Sequence, residues 1–344
     1  YSGEIPLAIS FITFTAIAAV IDTKNKLFDK NSANLFSIYE FILFFPQLIA
    51  GPILRLNELF YQLKNKIIFK KENIKFGLIL FLIGFVKKIF FADSIGAYID
   101  PIFENPETFL PNHLFKSFIL FPLQIYFDFS GYVDMALGSS MILGIELPIN
   151  FNKPYLTSTL TNFWRNWHIT LSRWFRDYVY IPLGGSKKND FFTYRNLIIT
   201  MSIAGLWHGA SFNFIIWGFL NGMILCIEKI FFLHKSNSSY RIFLNCFIIF
   251  NLWIIFRITE IDILTIYFKI LYSDIFSLFS IDNSILCLIV VLAIFLQKFD
   301  NYNFLKDFSK KINLISVIFF FIVIILTGLA MNTGQSEKFI YFQF

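Results

Sequence analysis

Charge is scarce in this chain of 344 residues: Asp, Glu, Lys and Arg make up 15% of it, against about 25% in an average soluble domain. Apolar side chains reach 56% and aromatic ones 20%, and the mean hydropathy is +0.64. A water-soluble fold of this length could not hide so much apolar surface, so a soluble enzyme is excluded and an integral membrane protein is implied. Cysteine is scarce too. Cys226, Cys246 and Cys287 lie in apolar runs at scattered spacing; they suggest neither a disulfide framework nor a metal motif and read as small buried hydrophobes. The chain has no Cys/His cluster, no HExxH and no Walker loop, so no metal site or nucleotide cradle is expected. No internal repeat or low-complexity linker divides it, and residues 1–344 read as one membrane domain. The net charge of +6 does not imply nucleic acid, because Lys and Arg in a membrane protein mark cytoplasmic loops.

What the chain does have is a series of apolar runs. A spanning helix needs about 20 mainly apolar residues, which predicts spans near 5–21, 76–91, 114–133, 191–207, 212–233, 242–256, 284–297 and 312–331. Segment 55–75 carries Arg55, Lys64, Lys66, Lys70, Lys71 and Lys75 against Glu58 and Glu72, whereas 92–113 carries Asp93, Asp100, Glu104 and Glu107 with no Lys or Arg. The first belongs on the cytoplasmic side and the second outside. Segment 298–311, with four Lys against two Asp, is cytoplasmic by the same rule, which leaves the tail 332–344 outside. Residues 36–54 are apolar but broken by Pro46, Gly51 and Pro52, with cytoplasmic-looking flanks. A re-entrant hairpin fits, and irregular backbone at that depth must be buried in protein or line a cavity.

Two histidines stand out. The stretch 160–178 is too charged to span and too aromatic to be a free loop, and it has helical periodicity. At 100° per residue, Trp164, Trp167, Leu171, Trp174, Phe175 and Tyr178 share one arc with His168 on its shoulder, and Arg165, Arg173 and Arg176 gather opposite. Thr157, Ser158 or Thr161 would cap its start. Two uses fit this pattern: an amphipathic helix in the membrane interface, or the lining of a cytoplasmic vestibule. In the second, the arginines, with Lys187 and Lys188, hold a phosphorylated donor through their forked geometry. His208, in IAGLWHGASFNFIIWG, lies within a membrane segment, where an ionisable residue is a functional hypothesis by default. Gly205, Gly209, Ala210 and Ser211 leave room around it, and Trp207 and Trp217 would wall a pocket. A neutral imidazole there suits a general base for a hydroxyl; the plainer alternative is a hydrogen bond between helices. Asp128 and Asp134 sit in or near a span and need partners, most simply structural ones. His113 and His234 fall in predicted loops and read as solvated.

Together these stretches resemble the membrane-bound O-acyltransferase family, in particular its bacterial branch for alginate and peptidoglycan O-acetylation. The matching segments are PLAISFITFTAIAAVID, FPQLIAGPILR, IYFDFSGYVDMALG, LPINFNKPY (with Asn152), FWRNWHITLSRWFRDYVYIPLGG and GLWHGASFNFIIWG, in the family's order. The resemblance implies an all-α polytopic funnel with re-entrant and interfacial helices and a tunnel through it, and it implies further helices preceding the segment like PLAIS. It makes His208 catalytic and places His168 deeper, on the cytoplasmic side. It makes acetyl-CoA the donor, with no bound cofactor, and places the protein in the bacterial cytoplasmic (inner) membrane among its lipids. It pairs the chain with an external SGNH/GDSL-like polysaccharide O-acetyltransferase. Asn166 stands where an Arg is common, and Asn221 where the branch often has His. The tail residues Phe339, Tyr341 and Phe344 resemble a motif associated with acyl relay, so that Tyr341 would carry the acyl group; interfacial anchoring is the plain alternative.

The function expected is O-acetylation of a cell-envelope polysaccharide, peptidoglycan first and an alginate-like exopolysaccharide next. D-alanyl or other acyl transfer is the chemical alternative. A proton-coupled transporter would call for inverted repeats, and a purely structural subunit would tolerate loss of both histidines.

Overall fold

The apolar runs fold as helices, and no strand occurs among the described residues of this all-α chain. The computed structural model describes residues 9–25, 35–48, 51–65, 67–231, 238–274 and 280–331. The first third contains α1 (Ile9–Lys24), α2 (Leu35–Ile42), α3 (Phe45–Leu48), α4 (Leu56–Lys64), α5 (Lys71–Val86), α6 (Asp93–Glu104) and α7 (Pro111–Ile142). The middle contains the short α8 (Leu160–Trp164) and α9 (Ile169–Phe175), then α10 (Asp190–His208) and α11 (Phe212–Ile230). The last third contains α12 (Ser239–Arg257), α13 (Ile261–Leu271), α14 (Ile281–Leu296), α15 (Tyr302–Lys311) and α16 (Leu314–Met331). Helices α11, α12 and α16 are each long and apolar enough to cross a membrane; α14 is apolar but shorter.

Each predicted span has a helix at its position. The run at 36–54 is broken, as its prolines and glycine demand, into α2 and α3. Four helices were not anticipated. Helix α4 lies in the basic segment 55–75, α6 fills much of the segment expected as an external connection, α13 follows α12, and α15 occupies the basic segment 298–311. His113 is not in a loop: it lies half-buried in the first turn of α7, its Nδ1 3.3 Å from the Tyr98 hydroxyl. His234 and Tyr341 lie outside the described residues.

The long helix α7 is the axis of the packing. It lies against α5 at a distance only glycine permits. A Cβ built on Gly77 would sit 2.6 Å from the Gly138 carbonyl oxygen, and one on Gly138 would sit 2.5 Å from that of Gly77. Gly84 and Gly131 repeat the contact two turns along. Between α5 and α6 the chain makes one π-helical stretch, Lys87–Ala92. It delivers Lys87 and Lys88 into the bundle, where Asp128 and Asp134 have their partners. Lys87 Nζ lies 2.6 Å from both Asp134 and Asp300, and Lys88 Nζ lies 2.6 Å from Asp128 and 2.7 Å from Asp93. The Tyr126 hydroxyl donates to Asp300 at 2.5 Å. Asp300, in the connection between α14 and α15, is therefore a counter-ion turned inward, which the segment's overall charge could not reveal.

A second core is aromatic. Trp167, at 1% exposure, stacks on Phe163 with centroids 5.5 Å apart and meets Trp253 at 4.9 Å and Phe151 at 5.0 Å. Tyr155 donates to the Pro122 carbonyl of α7 at 2.7 Å and accepts from Trp253 Nε1 at 3.1 Å.

Candidate active site

The single helix expected over 160–178 is instead two helices and a π-helical segment, Arg176–Tyr180. The break falls at His168, whose φ of 42° and ψ of 55° are left-handed. Among the described non-glycine residues only His168 and Lys153 have positive φ. Such a conformation costs about 1–3 kcal/mol and persists where the surroundings over-determine it. The stretch 150–152 provides those surroundings: Asn152 N donates to the Asn166 carbonyl and Ile169 N to the Asn150 carbonyl, each at 3.0 Å. A helical wheel assumes one uninterrupted helix, so it set His168 on the shoulder toward the arginines. In the structure His168 is 1% exposed, edge-on to Phe129 at 4.7 Å and roughly parallel to Phe11 at 6.4 Å. The N-cap of α8 is Thr159, which accepts from Asn162 N at 3.1 Å. Thr157 and Thr161 do not cap it, because Thr157 donates to the Pro154 carbonyl and Thr161 to Glu228.

His208 ends α10, half-buried where the helix stops at Gly209. Rings surround it on three sides: Trp207 at 4.7 Å, Phe256 at 4.9 Å and Trp217 at 5.5 Å between centroids. Trp207 packs on Phe11 and Phe14 of α1, at 5.8 Å and 5.1 Å. Phe11 thus touches the rings of both Trp207 and His168, and the two histidines share one aromatic frame.

A cavity of about 720 Å³ opens among α8, α9, α10 and α11. Its wall includes Arg165, Arg173, Arg176, His208 and Trp217. The break at His168 therefore does not scatter the three arginines expected to hold a donor. Two of them are already paired: Arg173 with Glu58 of α4 at 2.9 Å, and Arg176 with Asp177 at 2.7 Å. Arg55 pairs with Asp177 as well. Partial burial alone would raise the Asp177 carboxyl, but hydrogen bonds from Arg176 and Arg55 outweigh it and hold the group below the usual carboxylate range.

Several anticipated site residues lie elsewhere. Lys187 and Lys188 are exposed and do not line the cavity; Lys188 sits over the Phe192 ring at 5.0 Å. The loop after Tyr180 turns through left-handed Gly184 and Gly185, which brings Ser186 to the cavity wall 2.7 Å from the Tyr180 hydroxyl, and Asn196 pins it by donating to the Gly185 carbonyl at 3.0 Å. Trp167 and Trp207 support the site from within the packing and do not line the cavity. Asn152 is structural support, accepting from Asn301 Nδ2 at 3.1 Å. Asn221, fully buried, accepts from Trp164 Nε1 at 3.1 Å and so ties α8 to α11. Glu228 was missed: this buried carboxylate on the cavity wall accepts from the backbone of Leu160 at 2.5 Å and of Thr161 at 2.9 Å. An acidic residue inside a predicted span was the available signal.

Residues 28–264 match the membrane-bound O-acyltransferase family, a stretch that contains both histidines, all three cavity arginines and the His168 turn. The chain belongs to the membrane-bound O-acyltransferase family. Within this membrane-bound O-acyltransferase family, the "Probable alginate O-acetylase AlgI" of Pseudomonas aeruginosa is 40% identical over 278 residues, 78% of this chain and 52% of that protein. The "Peptidoglycan O-acetyltransferase" of Helicobacter pylori is 38% identical over 289 residues, 75% of this chain and 55% of that protein. The "Teichoic acid D-alanyltransferase" of Bacillus subtilis is 29% identical over 248 residues, 68% of this chain and 61% of that protein. The chain spans about half the length of the first two.

Proposed function

We propose that the chain is a membrane O-acetyltransferase that takes acetyl groups from cytoplasmic acetyl-CoA for O-acetylation of a cell-envelope polysaccharide, peptidoglycan first and an alginate-like polymer next. The observation that carries this reading is the cavity of about 720 Å³ whose wall combines three arginines with His208. Arginine forks suit the phosphates of a coenzyme thioester, and an imidazole among aromatic rings suits a general base. In the proposed step His208 takes the proton of an acceptor hydroxyl and the oxygen adds to the thioester carbonyl carbon. The C–S bond then breaks, and the departing thiolate takes the proton from the imidazolium. His168, held behind Phe11, supports the base without meeting the donor. The first acceptor is the Tyr341 phenol, and an external SGNH/GDSL-like transferase passes the acetyl group on. The site lies in the bacterial cytoplasmic membrane, crossed several times by the chain.

Identity near 40% to relatives named for O-acetylation, against 29% to one named for D-alanylation, favours acetyl as the group carried. The test is release of coenzyme A from acetyl-CoA by the full-length protein in detergent or nanodiscs. Replacing His208 with Ala is expected to lower turnover by about 10²- to 10⁴-fold, the range for loss of a general base. Unchanged turnover would remove His208 from the chemistry, and no turnover by the wild type with any acyl thioester would favour a transport role.

A further inference from the structure

Asn150 is fully buried beside the His168 turn and has no role in the proposed step. Its backbone and side chain both grip the residues that follow His168. The Asn150 carbonyl accepts from Ile169 N at 3.0 Å. Its Oδ1 accepts from Thr170 N at 3.0 Å and from Thr170 Oγ1 at 2.7 Å. The Thr170 hydroxyl in turn accepts from Ile53 N at 3.0 Å, which fixes the end of the broken 36–54 run to the same turn. Upstream of His168, Asn152 N holds the Asn166 carbonyl. The left-handed residue is thus clamped on both sides by one short stretch of chain. The charge network reaches the clamp as well: Asn150 borders a cavity of about 20 Å³ together with Lys87, Asp134 and Asp300.

We infer that Asn150 is a positioning residue for His168, acting through Thr170; this rests on His168 serving the acyl transfer proposed above. An unfavourable backbone conformation needs a rigid clamp, because any relaxation toward ordinary φ swings the imidazole out of the frame formed by Phe11 and Phe129. Asn suits the task. One side-chain oxygen accepts two hydrogen bonds without introducing a charge, and its removal leaves the buried Thr170 donors without that partner.

The test compares Asn150→Ala, Thr170→Val and Thr170→Ser in the full-length protein, each alone and combined with His168→Ala. The readouts are kcat and KM for acetyl-CoA and the melting temperature. Thr170→Val keeps the shape and removes the hydroxyl, whereas Thr170→Ser keeps the hydroxyl. Asn150→Ala and Thr170→Val are expected to lower kcat by about tenfold to a hundredfold, the scale of a misplaced catalytic group. KM for acetyl-CoA stays within about twofold and Thr170→Ser behaves like the wild type. Combined with His168→Ala, the further loss disappears, because coupled residues are not additive. An equal loss in the His168→Ala background, or no loss from Thr170→Val, would overturn the inference while leaving the role of His168 standing. Unchanged kcat in His168→Ala alone would instead overturn that role, and the inference with it.

Discussion

Asp177 sits between Arg55 and Arg176, the second of which lines the cavity, and its carboxyl is held below the usual range. A depressed folded-state pKa lends stability that is fully present above the unfolded value, about 3.9, and is lost as pH falls through the folded one. Thermal unfolding of wild type and Asp177→Asn in detergent checks this. The gap in melting temperature is expected to stay constant from neutral pH to about 5 and to close below about 4. At this scale the sequence made His208 and the three arginines visible, because an ionisable group in an apolar run and a one-sided charge pattern are both local signals. The roles of Asn150, Glu228 and Asp300 were not legible, although Glu228 stood out as a carboxylate within a span. Their meaning lies in partners that are, respectively, the far ends of a turn, a helix N-terminus and a lysine more than two hundred residues earlier.

Helices α5 and α7 show how much a single missing side chain decides. Gly77 and Gly138 each occupy the space where the other's Cβ would go. Gly138→Ala therefore has to push the helices apart, an overpacking cost of about 1–3 kcal/mol. A lowered melting temperature is expected; an unchanged melting temperature would show that the helices separate freely. Helix positions were readable from apolar runs because length and hydropathy report burial or lipid contact directly. The break at His168 was not. Periodicity describes which face a residue would occupy if the helix continued, and it carries no information about where tertiary contacts force φ positive.

Across the molecule, the two basic segments that charge assigned to the cytoplasm are neighbours in space. Lys75 Nζ donates to the Ile312 carbonyl at 3.0 Å, and the Phe76 and Tyr302 rings meet at 5.1 Å. Single-cysteine labelling in intact cells tests the orientation, with Cys226, Cys246 and Cys287 replaced. An impermeant maleimide is expected to reach Glu107→Cys from outside and Lys310→Cys only after permeabilisation; the reverse pattern would invert the molecule.

The π-helical stretch Lys87–Ala92 also has an evolutionary side. Such a turn accommodates one residue more than the α-helix around it, so it behaves like an insertion that the fold has absorbed. Removing that residue would restore an ordinary helix and leave the helices on either side in register, because the wider turn is what takes up the extra residue. The Gly77 and Gly84 contacts with α7 lie before the turn, and Asp100, which pairs with Arg257 of α12 at 3.1 Å, lies after it; both would survive. What would change is the turn itself, where Lys87 reaches Asp134 and Asp300 and Lys88 reaches Asp93 and Asp128. A chain shortened by one residue here should therefore keep its helix packing and lose part of this charge network.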